Sequence, residues 1–294
     1  MKLADISSVA GTSVIRDGEF ASLGLIAYET AGLLVFVESA NYLNDLAANA
    51  RIGCVITTSE LAGNIPGSLG VATTTKPREA FYTLHNHLAQ TEFYGKRFAS
   101  EVSTTARVHP RAYVAEHNVR IGDNCVVEPN ATIHEGAVLD EGVIVRSGAI
   151  IGSEGFQFTR LGDRLLAVAH AGGVRLERGV EIQSCTCVDR ALFGGFTIIG
   201  EDSKIDNLVH IAHNVRLGKR NLVVAGAMIA GSVISGDDVW FGPQCAISNG
   251  LTVGSRATIT VGAVVTKNVE EGTRVSGNFA VDHARFLMHM RAIR

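Results

Sequence analysis

Residues 199–234 read IGEDSK IDNLVH IAHNVR LGKRNL VVAGAM IAGSVI when they are divided into groups of six. Each group begins with an aliphatic residue, and the series continues in phase to Val265 with Ser235 as its one lapse. Shorter series with the same period occupy residues 121–151 and 176–188. A period of six is neither the 3.6 of an α-helix nor the alternation of a single strand, so it indicates a repeat architecture.

The hexapeptide period predicts the fold of this part of the chain. Each hexad is expected to form a short strand and a turn, with its aliphatic residue inward and a small residue four places later at the corner. Three hexads then close one coil, and stacked coils supply hydrogen bonds that one coil lacks. An ordinary β-sandwich is the alternative, but irregular strands and turns would not stay in phase for so long. The sequence predicts a mainly β fold, a parallel β-helix.

The period also divides the chain into domains. Residues 1–103 lack it and show apolar runs separated by turn signals, which predicts an α/β cap domain. Residues 104–270 are predicted to form the β-helix, interrupted by a loop at residues 153–173 that is too long for a coil corner. Residues 271–294 are predicted to form a short helical tail.

Composition excludes several classes of protein. A formal net charge of -3 with mixed signs argues against a nucleic-acid partner. The first residues contain no long apolar run, so we expect neither a signal peptide nor a spanning segment, and a cytoplasmic location. The five cysteines show no C-x-x-C spacing, and the sequence predicts no metal site. Cys125 and Cys245 fall at the small inward position and are predicted to fill the core, whereas Cys185 and Cys187 remain unassigned thiols.

Two histidines in the segment IDNLVHIAHNV are candidates for chemistry. His210 and His213 fall at hexad positions that point away from the coil interior. Asp206 precedes His213 in the same segment, near enough through the corner to orient an imidazole. Gly231 follows His213 by three hexads, one full coil, so its backbone is expected to stack beside the ring. Acyl transfer requires at least a general base and a hydrogen-bond donor for the oxyanion, and an imidazole next to a backbone N–H supplies both.

Four motifs carry a resemblance to a known family: IGSEGFQF, VEIQSCTCVDRALF, IDNLVHIAHNV and VAGAMIAGS. Together they resemble the UDP-3-O-acylglucosamine N-acyltransferases of lipid A biosynthesis, which are hexapeptide-repeat acyltransferases. The resemblance implies a left-handed coil and a homotrimer with sites between neighbouring subunits. It implies His213 as catalytic base, Gly231 as oxyanion donor and Asp206 as the supporting carboxylate. His210 and Asn214, in the same motif, are predicted to contact substrate.

The resemblance extends to the cap domain. The family holds uridine through an F-x-x-N-x-x-Y motif, and this chain has Phe36, Ser39 and Tyr42 at the corresponding positions. An aromatic face and a phenol therefore remain for the uracil, while a hydroxyl replaces the amide. Gly250 stands where the family commonly carries a second histidine, and it is predicted to lie in the acceptor site.

The implied reaction moves an acyl group, a 3-hydroxyacyl group in the family, to the amine of a UDP-3-O-acylglucosamine. No permanently bound cofactor is expected. The donor carries phosphopantetheine, as acyl-acyl carrier protein or as coenzyme A. Arg285, Arg291 and Arg294 on the tail are predicted to meet an acidic carrier protein, with a solvated helix face as the equal alternative.

Three alternatives remain open from the sequence. The nearest is an N-acyltransferase for another nucleotide-linked amino sugar, using short-chain acyl-coenzyme A. A second is a zinc-dependent γ-type carbonic anhydrase, for which His210 and His213 supply two of three histidine ligands. The third is a noncatalytic β-helix scaffold.

Overall fold

The computed structural model describes residues 1–28, 30–277 and 281–293. The chain divides into two compact units. The N-terminal unit contains Met1–Ala99 together with two later segments, Glu154–Gly173 and Arg190–Phe196. The β-helix unit contains the rest of the chain: Ser100–Ser153, Val174–Asp189 and Thr197–Arg294.

The N-terminal unit is built on one sheet. Its strands are β1 (Ser13–Arg16), β2 (Ser22–Leu23), β3 (Leu33–Val37), β4 (Ile52–Thr57) and β5 (Gly70–Thr73). They lie in the order β1, β5, β4, β3, β2, in which only β1 runs antiparallel to its neighbour. Its helices are α1 (Leu3–Ala10), α2 (Leu43–Ala48) and α3 (Pro77–Leu88), with 3-10 turns at Ala40–Tyr42 and Ala62–Asn64. Strands β3 to β5 are almost wholly buried, as expected for apolar runs of a mainly parallel sheet.

Helix α3 begins at a proline, whose missing N–H costs nothing in the first helical turn. Phe81, Leu84 and Leu88 recur at helical spacing and are buried in the core of the unit. This helix also carries Arg78 in its first turn.

The segment predicted to be a loop at residues 153–173 contains a β-hairpin, formed by β15 (Phe158–Leu161) and β16 (Arg164–Ala167). The hairpin segment belongs to the N-terminal unit, where Val168 packs in the same core cluster as Phe81. Asn86 of α3 donates a hydrogen bond to the Ala167 carbonyl at 2.8 Å. The end of the apolar stretch LLAV anchors the hairpin, because Val168 is buried and Leu166 packs against the same core, while Leu165 is 59% exposed.

A second segment of the chain also leaves the β-helix. Residues 190–196 lie where the hexad series slips, and they also belong to the N-terminal unit. Leu192 and Phe193 are buried in its core, and the centre of the Phe193 ring lies 4.8 Å from that of the His85 ring. The slip in the repeat therefore marks a departure of the chain from the β-helix.

The β-helix unit has three faces, each a parallel sheet whose strands come from successive coils. The first face contains β7 (Arg107–Val108), β10 (Val126–Val127), β13 (Ile144–Val145), β18 (Glu181–Ile182), β21 (Lys204–Ile205), β24 (Leu222–Val223), β27 (Trp240–Phe241), β30 (Thr258–Ile259) and β32 (Arg274–Val275). The second contains β8 (Tyr113–Val114), β11 (Thr132–Ile133), β14 (Ile150–Ser153), β19 (Cys187–Asp189), β22 (His210–Ile211), β25 (Met228–Ile229), β28 (Ala246–Ile247) and β31 (Val264–Val265). The third contains β6 (Glu101–Val102), β9 (Arg120–Ile121), β12 (Ala137–Leu139), β17 (Gly173–Leu176), β20 (Phe196–Ile199), β23 (Arg216–Leu217), β26 (Ile234–Ser235) and β29 (Thr252–Val253).

The repeat has a conformational signature at its turns. The residue three places after each inward aliphatic adopts a positive φ in most hexads, for example Asn124 at 58°, Asn214 at 61° and Gly250 at 70°. Asparagine, aspartate and glycine tolerate this left-handed region best, which explains their recurrence at the turn. The inward aliphatic residues form one continuous core, and Cys125 and Cys245 are buried in it.

Ser235, the lapse in the hexad series, points into the coil and is buried. Its hydroxyl accepts a hydrogen bond from the Asn221 side-chain amide at 2.9 Å. Asn221 is fully buried, and its Oδ1 accepts from the Val239 N–H at 2.6 Å. A polar residue in the core is tolerated here because a second one, also inside, satisfies it.

The C-terminal helix α4 spans His283–Ala292, and Asp282 caps it by accepting hydrogen bonds from two backbone N–H groups. Arg285 and Arg291 are exposed on this helix. Arg294, predicted with them to meet a carrier protein, lies outside the described residues. Among the described helices, none combines the length and the apolar character needed to cross a bilayer.

Replacing Asn221 by alanine is expected to lower the free energy of unfolding by about 1–3 kcal/mol, because buried groups then lose their partner. Urea denaturation at one fixed protein concentration measures the change. Asn249→Ala, the same substitution at an exposed turn, is the matched control and should shift stability by less than about 0.5 kcal/mol. Equal stability of Asn221→Ala and the parent would contradict this role of the internal polar pair.

Candidate active site

His213 lies in the turn between β22 and β23, at the corner that joins the second and third faces. Its side chain is half-buried. The next coil is held against it by the ladder, since Ser232 N–H donates to the His213 carbonyl at 3.0 Å. The position of the ring is therefore set by the backbone hydrogen bonds that stack the two coils.

Gly231 lies directly against this imidazole. A Cβ placed on Gly231 would come within 2.8 Å of His213 Cε1 and 2.9 Å of Nε2, closer than real contacts allow. A side chain at position 231 would therefore force the His213 ring out of this position. Within the described residues no acceptor is observed for the Gly231 N–H, while its carbonyl accepts from Gly250 N at 2.9 Å. The structure thus brings together the two groups that the three-hexad spacing pairs.

Asn214 holds the other side of the ring. Its Oδ1 lies 3.0 Å from His213 Nδ1, and a carbonyl oxygen at this place makes Nδ1 the donor. This tautomer puts the basic lone pair on Nε2, toward Gly231. Asn214 is itself fixed, because its N–H donates to Thr197 Oγ1 at 2.8 Å and its φ of 61° suits the turn. The structure gives Asn214, predicted to contact substrate, a contact with the imidazole.

Asp206 lies at a different corner, between β21 and β22. Its Oδ1 accepts from Asn207 N at 2.7 Å, and its Oδ2 accepts from Ala225 N at 3.0 Å. The second of these bonds ties one coil to the next. Support of the His213 imidazole by Asp206 stays a prediction.

His210 projects from the second face, as expected, and meets two residues that the sequence left without a role. Its Nε2 lies 3.6 Å from Oδ2 of Asp189, whose side chain is buried. Cys187 Sγ lies 3.6 Å from Asp189 Oδ1, and Ser153 Oγ donates to the same oxygen at 2.8 Å. Burial and the nearby Asp189 carboxylate raise the pKa of the Cys187 thiol. The sequence predicts no metal site, yet this cluster contains a thiol, a carboxylate and an imidazole.

Gly250 occupies the positive-φ turn of its coil and is exposed, with no heavy atom within 4 Å of an added Cβ. The backbone conformation alone accounts for a glycine at this position. Its predicted contact with substrate stays a prediction.

The N-terminal unit contains a cavity of about 750 Å³, and Phe36, Ser39 and Tyr42 all line it. The Phe36 ring packs 5.0 Å from the ring of Phe81, so one part of it belongs to the core. Tyr42 is 53% exposed and available to a ligand. The three residues predicted to hold uridine therefore share one concave surface.

Arg78, which the sequence analysis did not select, is part of the same cavity. Its guanidinium carbon lies 5.4 Å from the centre of the Phe36 ring, and its guanidinium pairs with Glu38 at 3.0 Å. Ser39 Oγ accepts from Asn41 N at 3.3 Å and so begins the 3-10 turn that carries Tyr42. Arg78 is distant from Phe36 in the sequence, and only the packing of α3 on the sheet brings it there.

The family description "Bacterial transferase hexapeptide (six repeats)" matches residues 118–153 and 196–231. A UDP-3-O-acylglucosamine N-acyltransferase of Campylobacter lari is 32% identical, over 96% of this chain and 93% of that protein. One of Anaeromyxobacter dehalogenans is 34% identical, over 99% of this chain and 90% of that protein.

The chain belongs to the UDP-3-O-acylglucosamine N-acyltransferase family. A solved structure of a UDP-N-acetylglucosamine acyltransferase from Campylobacter jejuni has the same fold, with a TM-score of 0.51 and 21% identity over 66% of this chain and 81% of that one. The predicted fold class, a left-handed parallel β-helix with an α/β domain and a short C-terminal helix, is confirmed. The protein is an acyltransferase, which argues against the scaffold and the carbonic anhydrase.

The position of the His213 ring depends on the absence of a side chain at Gly231. Gly231→Ala is expected to displace the ring, because the added Cβ would overlap it. The measurement is the Hε1 resonance of His213 in the proton NMR spectrum, assigned by its loss in His213→Gln. Gly67→Ala, where nothing lies within 4 Å, is the control and should leave that resonance in place. An unmoved resonance in Gly231→Ala would contradict the close approach.

Proposed function

We propose that this protein transfers an acyl group from a phosphopantetheine-linked thioester to the amine of a UDP-3-O-acylglucosamine in lipid A biosynthesis. The observation that carries the proposal is the contact of the His213 imidazole with the Gly231 backbone, in a chain that belongs to this acyltransferase family. A base with its lone pair beside a backbone N–H suits the tetrahedral intermediate of acyl transfer.

The proposed chemistry begins with the neutral imidazole. Nε2 of His213 takes a proton as the sugar nitrogen attacks the thioester carbonyl, and the Gly231 N–H donates to the oxygen that becomes negative. The intermediate collapses to an amide, the carbon–sulfur bond breaks, and the imidazolium returns the proton to the leaving thiolate. Asn214 Oδ1 would stabilise the imidazolium through Nδ1–H, and Asp206 is a second candidate for this task.

The acceptor is proposed to bind by its nucleotide in the cavity of the N-terminal unit. Phe36 offers an aromatic face, Tyr42 a phenol and Ser39 a hydroxyl in place of the family's amide. Arg78, above the Phe36 ring, would place a positive charge near a diphosphate or a uracil carbonyl. His210, Asn214 and Gly250 would contact the sugar or the acyl chain.

The donor is proposed to be a 3-hydroxyacyl-acyl carrier protein, with acyl-coenzyme A as the alternative. Arg285 and Arg291 on the exposed face of α4 would meet the acidic surface of a carrier protein. We further propose a cytoplasmic homotrimer, because a single flat coil face is too open to enclose both substrates.

The enzyme assay tests the proposal directly. UDP-amino sugars, with and without a 3-O-acyl group, are combined with acyl-carrier and acyl-coenzyme A donors, and amide product and free thiol are measured. We expect the UDP-3-O-acylglucosamine with a carrier-bound 3-hydroxyacyl group to give the highest kcat/KM. Preference for a different amino sugar with acyl-coenzyme A would support the alternative donor and acceptor instead.

His213→Ala is expected to lower kcat by at least about 100-fold, because general-base help contributes about 10² to 10⁴ in rate. The mass in solution, measured by light scattering, should equal that of the parent. His87→Ala, an exposed histidine on α3, is the matched control and should keep the parent kcat. Unchanged turnover in His213→Ala would remove the imidazole from the mechanism.

Phe36→Ala is expected to raise the Kd for UDP by about 5- to 150-fold, since aromatic stacking on a base contributes about 1–3 kcal/mol. Titration calorimetry on the full chain measures this Kd. Phe93→Ala is the matched control, because Phe93 is half-buried in the same unit but packs on Phe20 rather than lining the cavity. Equal Kd values for Phe36→Ala and the parent would place the nucleotide elsewhere.

A further inference from the structure

The β-helix carries a cluster of metal-ligating side chains, Cys187, Asp189 and His210, of which Cys187 and Asp189 have no role in the proposed acyl transfer. Cys187 and His210 are direct partners in the parallel ladder between β19 and β22, so both project from the second face. Asp189 lies two residues beyond Cys187 on the same strand and therefore points to the same side. The cluster is thus fixed by the sheet itself rather than by a flexible loop.

The distances between the three donor atoms fit a single ion. All three lie within 4.8 Å of one another; Asp189 Oδ2 lies 3.6 Å from His210 Nε2, and Asp189 Oδ1 lies 3.6 Å from Cys187 Sγ. Tetrahedral Zn²⁺, with bonds of about 2.0–2.3 Å, requires donor separations of about 3.3–3.6 Å. The His210 Nε2–Asp189 Oδ2 separation already has this value, and bringing the Cys187 sulfur to the same ion takes a shift of about 1 Å.

The charges in the cluster also favour a cation. Asp189 is only 4% exposed, and a buried carboxylate is costly without a compensating positive charge. Among the described residues, His210 is the one ion-pair partner observed for Asp189, and it is charged only when protonated. A divalent ion bound to one carboxylate and one thiolate leaves a neutral site, and the thiol proton is released to solvent.

A further residue holds the carboxylate in place. Ser153 Oγ donates to Asp189 Oδ1 at 2.8 Å and lies 3.1 Å from Cys187 Sγ. This leaves Oδ2, the oxygen nearer His210, to face an ion. Hydrogen bonds from neighbouring groups orient metal ligands in this way and contribute to affinity.

We propose that Cys187, Asp189 and His210 form a binding site for a divalent transition-metal ion, with Zn²⁺ as the ion that this donor set fits best. One sulfur, one nitrogen and one oxygen donor form a mixed set that a borderline-soft ion prefers over Mg²⁺ or Ca²⁺. Three protein ligands leave a fourth position for water, on the side where His210 is partly exposed.

The place of the site in the chain indicates a structural role. Ser153 and Asp189 are the last β-helix residues before the chain leaves for residues 154–173 and 190–196. An ion bound to Asp189 would hold both departure points, through β19 directly and through Ser153 on β14. Since an ion that binds only the folded chain stabilises it by mass action, Zn²⁺ is expected to raise the Tm.

The test uses the full-length chain, first freed of metal by a chelator and then titrated with Co²⁺ alone. We expect one tight Co²⁺ per chain, with a thiolate-to-cobalt charge-transfer band and the intense visible bands of tetrahedral Co²⁺, both lost when Zn²⁺ is added. Cys187→Ser should lose the charge-transfer band, and Ser153→Ala should weaken Co²⁺ binding by about 10- to 100-fold. Cys185→Ser, at an exposed thiol outside the cluster, is the matched control and should keep the band.

A second measurement needs no variant. Zn²⁺ should protect Cys187 of the parent protein from alkylation, as mapped by mass spectrometry, while Cys185 reacts equally with and without the ion. Binding of Co²⁺ without a charge-transfer band, a band that persists in Cys187→Ser, or equal alkylation of Cys187 with and without Zn²⁺ would each overturn the site. These outcomes do not depend on acyl transfer, so they test the metal site separately from the proposed function.

Discussion

The hydrogen-bond ladder between successive coils is the constraint on which the rest of the β-helix depends. Each two-residue strand is too short to be stable alone, and it gains its partners from the coils before and after it. The inward aliphatic of each hexad and the left-handed turn three residues later keep the coils in register. Once the register is set, each outward side chain has a defined neighbour on the adjacent coil.

Both candidate sites of the β-helix are products of this register. His213 meets Gly231 because they are three hexads apart, one complete coil, and the ladder bond from Ser232 holds the two coils together. Cys187 meets His210 by the same kind of pairing, yet their separation in the sequence is longer than three hexads. The extra length arises because the chain leaves the β-helix at residues 190–196 within that coil.

This difference explains what the sequence could and could not predict. Where the hexad phase is uninterrupted, the spacing of residues in the sequence predicts both the β-helix and the pairing of His213 with Gly231, one coil apart. Across residues 190–196 the hexad count is interrupted, so the sequence pairs neither Cys187 nor Asp189 with His210, although it predicts His210 to project outward and to contact substrate. The hairpin within residues 154–173 is not predicted for another reason: Val168 and Leu166 anchor it in a unit whose core the sequence pattern does not define.

The turn conformation also connects the fold with the candidate active site. The turn position of the hexad adopts a positive φ, which favours asparagine, aspartate and glycine, although Leu208 and Arg220 also adopt it. At Asn214 that structural requirement supplies an amide next to His213, and its oxygen makes Nδ1 the protonated nitrogen. At Gly250 the same requirement is met without any side chain, which leaves open space on the surface there. Asn214 therefore has two functions at this corner. Its backbone turns the coil, and its side-chain oxygen favours the tautomer of His213 that carries the proton on Nδ1.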